Sequence, residues 1–108
     1  LMDRKKYRTI EAYEDADARM RIVKQLGELL LADIGGVVSD KDYKTVQKSL
    51  KKIDEVGVYA KKNMFADFPN LDEKYNRLFC CSKVTDKPCN EVDVEQIALA
   101  KDMVAYFF

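Results

Sequence analysis

The chain has 108 residues, 47% apolar and 35% charged, with 19 lysines and arginines balanced by 19 aspartates and glutamates. That composition excludes a chain disordered by low hydrophobicity, and zero net charge offers no long-range field to attract nucleic acid or an anionic membrane. The chain also has no histidine, which removes His-based triads, imidazole metal sites and the usual pH switch near neutrality.

A length near this value corresponds to one domain, residues 1–108, with a single modest core. Residues 1–8 read as a basic, loosely ordered lead-in with Arg4, Lys5, Lys6 and Arg8. Leu1, ahead of a methionine at position 2, reads as a residue left by cloning. No apolar h-region follows the basic residues, so no secretory signal is read, and no apolar run reaches the roughly 18 residues a membrane span needs. A cytoplasmic location is the resulting expectation. A natural chain that continues past Phe108 is an open alternative.

Thr9 predicts a helix N-cap, with Glu11, Glu14, Asp15 and Asp17 loading negative charge near the positive end of the dipole. The helix is expected over 10–34. Its apolar stripe is Tyr13, Ala16, Met20, Val23, Gly27, Leu30 and Ile34, a 3/4 beat that keeps every member on one side. Asp17 with Arg21 and Lys24 with Glu28 are (i, i+4) pairs. Gly35-Gly36 predicts a left-handed C-cap.

Ser39 with Asp42 predicts the start of a second helix over about 40–66, ended before Pro69. Its stripe repeats the beat at Tyr43, Val46, Leu50, Ile53, Gly57, Ala60 and Met64. Two helices this long with a short Gly-Gly-Val-Val link predict an antiparallel hairpin. Glycine inside a helix costs about 1 kcal/mol against alanine, so Gly27 and Gly57 predict close approach by a neighbouring helix. Lys41, Lys44, Lys48, Lys51, Lys52 and Lys62 lie away from the stripe and read as a solvated back. No arginine interleaves and Glu55 interrupts them, which argues against a nucleic-acid face.

Asn70 with Glu73 predicts a third, shorter helix to about residue 83, with Leu71, Tyr75, Leu78 and Ser82 on one face. Asn90 with Asp93 predicts a fourth running to the end. The expected fold is therefore all-α, a small four-helix bundle built on a long antiparallel helical hairpin with two shorter helices packed across it.

Cys80, Cys81 and Cys89 are the reactive cluster. Three thiols without histidine, two of them adjacent, make a poor zinc site. Free thiols are expected, with Cys81 partly buried and Cys80 nearer solvent. Cys89, ahead of the last helix and near Lys87, is the best candidate for a reactive thiol. No cofactor, metal or catalytic constellation is read, and the chain is not expected to be an enzyme.

The last helix is apolar over a wide arc. Val94, Ile97, Val104, Tyr106, Phe107 and Phe108 form a candidate interface, which predicts a homodimer or a helical protein partner. The leading functional expectation is a non-enzymatic, self-associating protein–protein interaction module. One alternative is a small-molecule-binding bundle with an inter-helix pocket lined by Tyr13, Met20, Tyr43, Met64 and Tyr75. A second is nucleic-acid binding through the lysines of the second helix.

Overall fold

The computed structural model describes residues 8–107. The basic lead-in through residue 7, Leu1 included, and Phe108 lie outside them. All regular structure among the described residues is helical: α1 (Ile10–Ile34), α2 (Asp40–Asp67), one 3-10 turn (Glu73–Arg77) and α3 (Glu91–Phe107). No helix among them is long and apolar enough to cross a membrane.

Both long helices begin at their expected caps. The Thr9 hydroxyl accepts from the Ala12 N–H at 3.1 Å, and Ser39 Oγ accepts from the Asp42 N–H at 3.2 Å. The C-terminus of α1 differs. Gly35 is right-handed, with φ −56° and ψ −26°, and its N–H simply continues the ladder to the Leu31 carbonyl. No described glycine has positive φ; Phe79 and Cys81 do, at 59° and 60°.

α1 and α2 run antiparallel. Leu50 packs on Gly27, and Met20 packs on Gly57. Between those levels Lys24 Nζ bonds Asp54 Oδ2 at 2.8 Å. The glycines thus receive side chains of the neighbouring helix. A Cβ at Gly27 would stand 2.7 Å from Leu50 Cδ2, whereas one at Gly57 would meet Met20 Sδ at an ordinary 3.5 Å. Lys24 pairs across the hairpin rather than with Glu28, which pairs with Lys83 instead.

Among the described residues three α-helices are present, not four. The expected third helix is cut to the 3-10 turn, capped by Asp72 through the Lys74 N–H rather than by Asn70. The physical reason lies just beyond it. Phe79 turns left-handed, which breaks the helical repeat and sends its ring into the core against Tyr13, with ring centroids 6.4 Å apart. Asn90 Oδ1 then accepts from the Asp93 N–H and starts α3. α3 packs against α1 and the 3-10 turn rather than across the hairpin. The core is Tyr13, Met64, Leu78, Phe79 and Val92, gathered where α3 and the 3-10 turn meet the open end of the hairpin.

Candidate functional site

A charged cluster lies inside this base. Arg21, Asp17, Asp93 and Gln96 are each buried to within 2% of full. Arg21 Nε donates to Asp17 Oδ2 at 2.9 Å, and its Nη2 reaches both Asp93 Oδ1 and the Arg77 carbonyl at 2.9 Å. Asp17 Oδ1 accepts from the Phe79 N–H at 2.7 Å, which holds that residue in its left-handed conformation. Gln96 Nε2 donates to Asp17 Oδ2 and to the Glu14 carbonyl. Asp93 also takes the Cys89 N–H and the Arg77 guanidinium. Burial pushes the Asp93 carboxyl upward, but these donors outweigh it and hold the pKa below the ordinary carboxylate value. Each buried charge has an opposite partner, so the cluster serves architecture: it locks α1, the 3-10 turn and α3 together.

Beside the cluster a cleft of about 260 Å³ opens between α1 and α2. Its floor is Met20, Leu50, Gly57 and Phe79, and its rim carries Lys24, Lys51, Asp54, Cys81 and Ser82. Cys81 is exposed and Cys80 half-buried, the reverse of the expected order. The left-handed turn at Cys81 swings that residue outward to the rim. Burial, followed by the neighbouring Asp54, raises the Cys81 pKa, so this thiol stays protonated and is a weak nucleophile. The Cys80 thiol bonds the Asn76 carbonyl and receives Lys61. Cys89 is exposed and free. No group of three or more metal-ligating side chains converges among the described residues.

A second open apolar surface lies along the hairpin and adjoins the cleft at Val23 and Ile53, which line both. Helical spacing gives α1 and α2 two flanks. One meets the segment from Asn76 to Thr85: Asp17 through the Phe79 N–H, Gln25 through Thr85, Glu28 through Lys83 and Lys61 through the Asn76 carbonyl. The opposite flank carries Ala16, Val23, Leu26 and Leu30 on α1, and Val46, Ser49, Ile53, Val56 and Ala60 on α2. Apart from Ala60, which packs on the core, it is open to solvent, with Leu26 52%, Leu30 47% and Val56 58% exposed. From Val23 to Leu30 and from Val46 to Ala60 these positions carry no charge. Arg19 and Asp33 stand at its two ends on α1.

The residues singled out from sequence fall in several places. Val94, Tyr106 and Phe107 are exposed on α3, Ile97 and Val104 are partly buried, and Phe108 is outside the described residues. Val94 and Ile97 line a shallow groove with residues 84–88, while Tyr106 and Phe107 stack edge to face at 5.6 Å. The wide apolar arc read for this helix does not describe its inner face, where Asp93 and Gln96 lie between Val92 and Ala100. The five residues of the expected pocket do not converge. Tyr13 and Met64 are core, Tyr75 packs on the core, and Tyr43 sits near Gly35 at the far end of the hairpin. Met20 alone of the five lines the cleft. The α2 lysines Lys41, Lys44, Lys48, Lys51, Lys52 and Lys62 are all exposed.

Sequence reasoning missed the open flank and the buried cluster. The signal for the first was present: the stripe holds two interleaved sets. Met20 and Gly27 face α2, while Ala16, Val23 and Leu30 fall a sixth of a turn away. No known protein family matches the chain, and comparisons with curated proteins and with solved structures return no match.

Proposed function

We propose that the chain is a non-enzymatic helical interaction module that works through the open flank of the α1–α2 hairpin. The observation carrying this reading is the charge-free strip centred on Val23, Leu26, Ile53 and Val56. Contiguous apolar surface of this kind marks interfaces on water-exposed domains, and interface centres are depleted in charge. Fully burying one such side chain is worth about 1.5–3 kcal/mol, so covering the strip supplies a large driving force. The small residues Ala16, Ser49 and Ala60 let a second helical surface approach closely.

The test is the paired substitution Leu26→Glu with Val56→Lys, neither of which lines the cleft. Both sites are at least one-third exposed, so helicity by circular dichroism and Tm should be unchanged. The wild-type chain should either be assembled or, as a monomer, bind an apolar dye at this flank. The variant should lose whichever is seen. Unchanged assembly or dye binding in a folded variant would sink the reading.

A second reading rests on the cleft. Its volume, apolar floor and polar rim suit a small amphipathic molecule. Leu50→Trp would fill it, and a ligand-dependent rise in Tm that this substitution removes would favour the cleft over the flank.

A further inference from the structure

We infer that the occupant of the open flank is a second copy of the same chain, lying antiparallel on the first to complete a four-helix bundle about one dyad near Leu26 and Ile53. This rests on the reading of that flank as an interface.

The argument is one of self-complementarity. An isologous pair requires each residue to meet the residue equally far on the other side of the dyad. Leu26 is midway between Arg19 and Asp33, seven residues from each. Laying α1 on its own copy about Leu26 therefore sets Leu26 on Leu26 and Arg19 on Asp33 at both ends, with Val23 one residue from the level of Leu30. Arg19 and Asp33 are exposed and make no ion pair among the described residues. The pairing gives each an opposite charge. The hairpin register fixes where the same dyad meets α2. Leu50 is level with Gly27 and Asp54 with Lys24, so the α2 residue of this flank nearest the level of Leu26 is Ile53, one to two residues along. Rotation there sets Ile53 on Ile53 and Val46 on Ala60, with Ser49 one residue from the level of Val56. One axis thus serves both helices to within two residues of register. A foreign partner would explain an apolar flank, but not its mirrored order of charge. Zero net charge leaves nothing long-range to oppose the assembly.

The experiment is light scattering across a dilution series with Arg19→Asp and Asp33→Arg. Each single variant places like charges at both ends and should weaken the homodimer about tenfold. Mixing the two singles makes every end pair opposite in the mixed dimer, and affinity should return to the wild-type value. The double variant should also recover. Recovery on mixing supports the dyad, because mere loss of folding cannot be repaired by a partner that carries the same kind of defect. Two outcomes overturn it: a 12.5 kDa mass at all concentrations, or singles that are unaffected. In either case, dye binding lost on Leu26→Glu with Val56→Lys would leave the flank an interface for another partner. A dimer that survives that pair would remove both readings.

Discussion

The base of the molecule and the arm of the hairpin are made of the same two helices, yet they are stabilised in opposite ways. In the base, α1 buries Tyr13, Asp17, Ala18 and Arg21, and α2 buries Met64. In the arm, from Glu28 to Val56, no residue is buried. The base is held by a core and a buried charge cluster. The arm is held by end caps, the Gly27–Leu50 contact and the Lys24–Asp54 pair. The difference teaches that a regular 3/4 pattern records where apolar surface is, not whether the chain itself covers it. A helix with little tertiary cover relies on local terms that are individually small.

The comparison breaks most sharply at Arg21. Arg21→Ala leaves Asp17 and Asp93 buried without their shared partner and should cost about 3–5 kcal/mol, read as a large drop in the midpoint of urea unfolding. A change under 1 kcal/mol would mean that the cluster does not lock the base. Acid acts on the same place. Asp93 has a lowered pKa, so the stability it contributes is present above the ordinary carboxylate value of 3.8 and is lost as pH falls through and below it. At the alkaline end Tyr13 is pushed up to about 12 by burial and by its 2.6 Å bond to Asp67. Its contribution is complete below pH 10 and lost as pH climbs towards 12. Stability curves for Asp93→Asn and Tyr13→Phe should flatten in those respective windows.

Gly27→Leu comes next, at the border between base and arm. It drives new atoms into Leu50 and should cost about 1–3 kcal/mol, with an unchanged Tm counting against the tight contact. Gly57→Ala has room and should stabilise by up to about 1 kcal/mol through helix propensity. Cys81→Gly should raise stability by about 1–2 kcal/mol, because an exposed residue at φ 60° gives up left-handed strain. A fall would mean that the thiol makes a contact worth more than the strain. The smallest effect belongs to the arm. Ser39→Ala removes one cap and should cost about 1 kcal/mol, and hydrogen exchange should accelerate between Asp40 and Leu50 while Met64 stays protected.

Much of the hairpin was legible because its signals are local. Thr9, Ser39 and Asn90 act within three residues of themselves, and the 3/4 beat fixes the helices between them. The 70–83 segment was not legible. Its capping pattern is a fair helical one, but Phe79 is turned left-handed by the Asp17 carboxylate, 62 residues away in sequence. The Asp17–Arg21 spacing was visible as a surface pair; only the arrival of Asp93 from α3 makes it a buried one. The open flank was half legible, since its residues were all in the stripe, but nothing local separates a position that meets α2 from one that meets solvent.

The buried cluster also sets an order of events. Gln96 reaches back 82 residues to the Glu14 carbonyl, and Asp93 reaches 72 to Arg21. The hairpin needs only the 30-residue link from Lys24 to Asp54. Closing the shorter loop is entropically cheaper, so the hairpin can assemble first. On a chain made from the N-terminus, Arg21 then waits with Asp17 alone until α3 has been synthesised. The least protected part of the finished molecule is thus the earliest to take shape, and its last helix decides whether the rest is kept.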